Sequence, residues 1–231
     1  MIMNDADQKL KELEDYGTQI INKPEILINK FKTIDINDEN IDTISPGTYR
    51  MSKSPSIGML RSLPYYKDSS SEVGIICFNN NWFITLGDHN QFDTPFPMEF
   101  KILGLLGVLQ FHAHSHPGKI KKYAHLPSDI DLYYCNNAID QCQYIICESS
   151  FVEIRNIFPR IFNIKKLWSK WLIEDLKLTK ERFESIGFTL LMTDFCNKYL
   201  NYNLISWEKK DKIMDILSSK ESLYIKTDLL K

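Results

Sequence analysis

Val108-Leu109-Gln110-Phe111-His112-Ala113-His114-Ser115-His116-Pro117 is the stretch on which the reading of this chain turns. Three of the chain's five histidines fall within five residues here, too dense a cluster to treat as background. The apolar lead from Val108 to Phe111 predicts a strand running into the histidines. Along an extended chain, residues two apart point the same way. His114 and His116 can therefore aim both imidazoles at one point. His112 shares that face, where we read it as support or packing behind the pair, with a fourth ligand as the alternative. A polar loop, Pro117 to Pro127, separates this strand from Ser128-Asp129-Ile130-Asp131, which opens a helix expected to reach Ile139. Ser-x-x-Asp ahead of an apolar helix is also a capping box, so Asp131 is expected in a rigid first turn.

Zinc takes fixed His nitrogens and carboxylate oxygens, and a hydrolytic site leaves one position open for water. His114, His116 and Asp131 supply such a set. A carboxylate must then accept a proton from the attacking water and deliver one to the leaving group. Glu72 is the first candidate, because it opens the strand-like run Val73-Gly74-Ile75-Ile76-Cys77-Phe78. If that strand lies beside 108–114, the carboxylate reaches the site. Glu99 is the fallback. The Ser128 hydroxyl is placed to assist the water or a developing oxyanion.

Working outward, Asp5 to Tyr16 has helical spacing of Leu10, Leu13 and Tyr16. Ile34 to Ser71 is rich in Asp, Asn, Ser and Pro and reads as mostly irregular. Asn79-Asn80-Asn81 reads as a turn between Glu72–Phe78 and a hairpin partner, Trp82 to Leu86. Phe100 to Leu106 reads as a short helix, Gln143 to Glu148 and Phe151 to Ile157 as strands. Beyond them, 164–176, 180–200 and 207–217 have helical periodicity. The expected organisation is an N-terminal helix and linker over 1–45, a catalytic domain over 46–160 and a helical C-terminal extension over 161–231.

The bulk numbers bound the function classes. The chain has 231 residues, 43% hydrophobic, enough for a core without disulfides. A formal net charge of −2 gives no electrostatic case for nucleic acid or an anionic membrane as partner. No segment has the length of a membrane span or the pattern of a secretory signal, so a cytoplasmic location is expected. The cysteines, Cys77, Cys135, Cys142, Cys147 and Cys196, form no CxxC pair and read as buried small hydrophobes. A zinc set from Cys135, Cys142 and Cys147 has no familiar spacing.

A Glu on an early strand, then His114-Ser115-His116-Pro117, then Ser128-Asp129-Ile130-Asp131, resembles the JAMM motif of the MPN-plus metallopeptidases. The resemblance covers about Glu72 to Ile157. It implies an α/β fold of the α+β type, with a mixed MPN/JAB-like sheet flanked by helices. It implies zinc on His114, His116 and Asp131, with Glu72 as acid/base and Ser128 at the oxyanion. It also implies a protein substrate, with cleavage of isopeptide or peptide bonds after ubiquitin or a ubiquitin-like protein. Two features depart from the family pattern. The eleven-residue gap from Pro117 to Pro127 is longer than usual, and Glu72-Val73-Gly74 is one residue tighter than Glu-x-x-Gly. Two other functions compete. A histidine-triad nucleotide hydrolase would use His112, His114 and His116 but leave Ser128 and Asp131 without a role. A non-catalytic MPN-like scaffold would have no need of the ligands. Barrel hydrolases that also begin with His-x-His need further histidines downstream, and none follows His125.

Overall fold

Six consecutive apolar or small residues, Val73 to Phe78, are too many for a strand with a wet face. In the computed structural model, which describes residues 5–69, 71–88, 96–116, 127, 131, 142–156 and 200–221, all six are buried. They form β3 (Val73–Phe78), near the middle of a mixed sheet of eight strands. The others are β1 (Thr33–Ile34), β2 (Gly47–Met51), β4 (Asn81–Leu86), β5 (Phe111–Ser115), β6 (Cys142–Ile146), β7 (Ser150–Asn156) and β8 (Leu200–Ser206). Their spatial order is β1-β2-β4-β3-β5-β6-β7-β8. The β1–β2 and β5–β6 pairs are parallel and the remaining pairs antiparallel.

Helices cover both faces, which is why the central strands read as continuous apolar runs rather than alternating ones. On one face, Val73, Ile75, Cys77, Phe111, Ala113, Tyr144, Ile146 and Phe151 form the larger core. Met59 and Leu60 of α3 (Ile57–Ser62) and Ile213 and Leu217 of a C-terminal helix, Lys210–Glu221, join it. On the other face, Ile76, Phe78 and Phe83 pack with Ile20 and Ile21 of α1 (Asp5–Asn22), Leu27 of α2 (Glu25–Ile28), and Phe100 and Leu103 of a helix at Met98–Leu105. Numbered in chain order after α4 (Tyr66–Ser69), these last two helices are α5 (Met98–Leu105) and α6 (Lys210–Glu221). No helix among the described residues is long and apolar enough to cross a membrane.

The β3–β4 connection is set by two asparagines. Asn79 and Asn80 have φ of 47° and 60°, the left-handed pair that a two-residue hairpin turn requires and that Asn tolerates. Gln110 then locks the turn. Its Oε1 accepts from Asn80 N (2.8 Å) and its Nε2 donates to Asn80 Oδ1 (2.7 Å). The residue just before β5 is thereby tied to the tip of the β3–β4 hairpin, which fixes where β5 lies along β3.

Two regions differ from expectation. The described residues of 34–71 are not mostly irregular. They hold β2, α3, α4 and the 3-10 turns Ile41–Thr43 and Leu63–Tyr65. The polar residues that suggested a linker close local turns instead. Asn37 Oδ1 accepts from Glu39 N (2.9 Å) and Asn40 N (3.0 Å), Asn40 Oδ1 accepts from Asn37 N (2.9 Å), and Ser56 caps α3 through Met59 N (3.0 Å). Such turns deliver Ile36 and Ile41 to the core. Residues 201–206, left unassigned between two helical stretches, belong to β8, which pairs with β7 along its whole length. The helical readings over 164–176 and 180–200 lie outside the described residues except at Leu200, which opens β8 instead.

The aromatic side chains of the larger core form a continuous stack. Phe111 lies 4.8 Å from Tyr144 and 5.2 Å from Trp82 between ring centroids, and Tyr144 lies 5.0 Å from Phe151. Phe111 sits at its centre and opens the strand that carries the histidines. Phe111→Ala is expected to cost about 3–5 kcal/mol, read as a lowered urea midpoint with an unchanged m-value.

Candidate metal centre

The sheet register places the site. β5 runs antiparallel to β3 with Gly74 opposite His114 and Ile76 opposite His112. Opposed residues of an antiparallel pair share a face. His112, His114, Gly74 and, two residues further back, Glu72 therefore point the same way. Continued by two residues, the same register sets Glu72 opposite His116. On the other side β5 runs parallel to β6, and His116 N donates to Ile146 O at 3.0 Å, which holds His116 to the end of that strand.

Parallel neighbours cannot be joined by a tight turn; they need a crossover of a dozen or more residues. The chain between β5 and β6 is that crossover, and Asp131 lies in it, helical and 4% exposed. The crossover returns Asp131 to the carboxyl end of β5. Asp131 Oδ1 lies 3.0 Å from His114 Nε2 and Oδ2 lies 3.4 Å from His116 Nε2. The two Nε2 atoms are 3.0 Å apart. One ligand atom from each of the three residues falls within 4.8 Å of the others.

Hydrogen bonding alone satisfies this triangle poorly. Each Nε2 carries at most one proton. If both rings are protonated there, the contact between them is repulsive; if only one is, a single proton serves two acceptors. A cation accepts lone pairs from all three groups at once. Bonds of about 2.0–2.1 Å to zinc place tetrahedral ligands about 3.3 Å apart, close to the spacing here. The donor set, two imidazoles and a carboxylate, is also one that zinc takes.

Electrostatics sharpen the picture. Burial alone would push the His114 pKa down, but the Asp131 carboxylate, through its charge and hydrogen bond, and Glu72, through its charge, lift it to about 9. Burial would raise Asp131, yet the two imidazoles hold it well below the usual carboxylate range. His112 is lowered to about 4, by burial first and then by His114, so it stays neutral. Its ring meets the edge of Phe96 at 5.1 Å. His112 lies outside the group formed by His114, His116 and Asp131.

Of the site residues expected from sequence, the structure brings together His114, His116 and Asp131, with partly buried Glu72 acting on His114 through its charge. Ser128 and most of the 117–127 insertion lie outside the described residues. The fallback base, Glu99, is engaged elsewhere: its Oε1 pairs with Lys30 Nζ and accepts from Tyr16 Oη at 3.2 Å. Of the cysteines, Cys77 and Cys147 are buried and neither is in a disulfide, and Cys142 opens β6. The Cys147 thiol is pushed up to about 12 by burial and then by the Asp131 charge, so it is a neutral thiol close to the site. Its place beside His116 follows from the β5–β6 register, which a single sequence does not reveal.

The His114 proton gives the site a definite pH response. A metal ion that takes the Nε2 of His114 must displace a proton bound up to about pH 9. Affinity is therefore expected to rise with pH toward that value, about tenfold per unit for one displaced proton. Calorimetry at neutral pH in buffers of different ionisation heat should show about one proton released per zinc bound. Uptake without proton release would contradict this assignment.

No protein-family model, no curated protein and no solved structure matches this chain.

Proposed function

We propose that this chain is a zinc-dependent metallopeptidase of the JAMM (MPN-plus) type, an isopeptidase acting on ubiquitin or ubiquitin-like conjugates or on a related peptide bond. The observation that carries the reading is the convergence of His114, His116 and Asp131 on one point with Glu72 on the same face of the sheet. The open mixed sheet with helices on both faces accords with an MPN-like fold. A histidine-triad nucleotide hydrolase would leave Asp131, which lies beside both His114 and His116, without a role.

In this reading His114, His116 and Asp131 would hold zinc, which would supply Lewis acidity when bound. Glu72 takes the proton from the attacking water and returns it to the leaving amine, a lysine side chain in an isopeptide. Gly74, opposite His114, leaves that row without a side chain between Glu72 and the ligands. Ser128 serves the developing oxyanion.

Purified protein is expected to carry about one zinc per chain, and Asp131→Asn and His116→Ala should each lose it. Glu72→Gln should keep the zinc and lose turnover of an isopeptide-linked ubiquitin probe by about 100-fold or more. Near-normal turnover in Glu72→Gln would refute the acid/base role. A wild-type chain that takes up no zinc on reconstitution would remove the metallopeptidase reading altogether.

A further inference from the structure

Ser115 stands between two ligands but faces away from them. Strand alternation turns its side chain to the larger core, where it is fully buried. A buried hydroxyl among apolar groups costs free energy unless it finds a partner. Its partner here is a main-chain group of the strand that carries the acid/base: Val73 N donates to Ser115 Oγ at 2.9 Å. The β3–β5 register ends at Gly74 opposite His114, so this bond extends the pairing one residue further, to the amide that follows Glu72. From the opposite side Gly87 N donates to Glu72 O at 3.1 Å. A Cβ at Gly87 would stand 2.8 Å from that same oxygen, so the chain just after β4 also presses close. Glu72 itself lies outside β3 as a regular strand. Its main chain is held by these two contacts, one from Gly87, just after β4, and one from the side chain of the residue between the metal ligands.

The geometry points to Ser115 as a positioning residue: its buried hydroxyl ties the backbone of Glu72 to the strand that presents His114 and His116, and so sets the acid/base against the ligands. This role rests on the peptidase reading above. It assigns Ser115 no contact with substrate or metal. It accounts for a hydroxyl at a position where the surrounding core would otherwise take Ala or Val.

The test compares Ser115→Ala, which removes the acceptor, with Ser115→Thr, which keeps it, and Ser115→Cys, which is nearly isosteric but accepts weakly. In wild type and Ser115→Thr the Val73 amide is expected to be protected from hydrogen exchange; in Ser115→Ala and Ser115→Cys it should exchange faster. Zinc content should be equal in all four. On the isopeptide-linked ubiquitin probe, kcat of Ser115→Ala should fall about 10- to 100-fold with KM nearly unchanged, and Ser115→Thr should recover most of it. In a Glu72→Gln background Ser115→Ala should add little further loss, because the group it positions is already gone. A merely structural Ser115 would lower zinc content or raise KM, or would add its full loss to Glu72→Gln. Any of these results, or wild-type kcat in Ser115→Ala, overturns the assignment. If Ser115→Ala does not fold, Ser115→Cys carries the same comparison. A wild type that holds zinc yet leaves the probe intact removes the peptidase reading, and this role with it. That result is distinct from an active wild type that is indifferent to Ser115.

Discussion

The register of β3 against β5 is the constraint on which the rest depends. Side chains alternate along a strand, so a slip of one residue would turn Ala113 and Ser115 toward Glu72 and bury His114 and His116 in the apolar core. Several independent features oppose that slip. The Asn79-Asn80 turn fixes the hairpin length, and Gln110 ties that turn to the start of β5. Val73 and Ser115 tie the other end. Between the ends, Ile75 and Ala113 face the larger core while Ile76 packs in the second one. Both faces of the pair are thus committed, and neither tolerates the other's side chains.

Within that frame the site is a polar inclusion in an apolar sheet. The side chains of His114, His116 and Asp131 are only 6%, 14% and 5% exposed. Burying a charged group is costly unless it is paired, and removing one partner of a buried pair costs more than the pair contributes. The centre therefore adds little to folding stability. The core stack of Trp82, Phe111, Tyr144 and Phe151, on the opposite face, stabilises the strands that carry it.

Much of the site was legible because it depends on short-range geometry. Alternation put His114 and His116 on one side, and the Ser-x-x-Asp pattern put Asp131 on a helix. The strands from 73 to 156 were legible for the same reason, as runs of apolar residues bounded by Asn pairs and Ser-rich turns. What escaped were features defined by pairing across the sheet. The role of Ser115 needs Val73 opposite it, and the place of Cys147 needs a parallel neighbour. The 34–71 region escaped because its Asn and Asp residues signal turns without saying that the turns carry Ile36 and Ile41 inward. β8 escaped although Leu200-Asn201-Tyr202-Asn203-Leu204 alternates, because it adjoins helical periodicity on both sides.

The pairing of β7 with β8 has a consequence for the order of assembly. Asn156 and Leu200 are partners, yet 43 residues separate them. Closing that loop costs only about 1 kcal/mol more than closing one of a dozen residues, so distance in sequence barely penalises the final sheet. It does affect timing. β3, β4 and β5 and the Asp131 crossover lie within 60 residues of one another and emerge from the ribosome well before β8 is made. Contacts of short sequence separation form first. A nascent chain can therefore gather Glu72, both histidines and Asp131 while the edge of β7 is still open. For that interval β7 displays unpaired backbone that invites another strand. Translation of the next segments, and not any property of the His114–His116–Asp131 cluster, sets how long that exposure lasts.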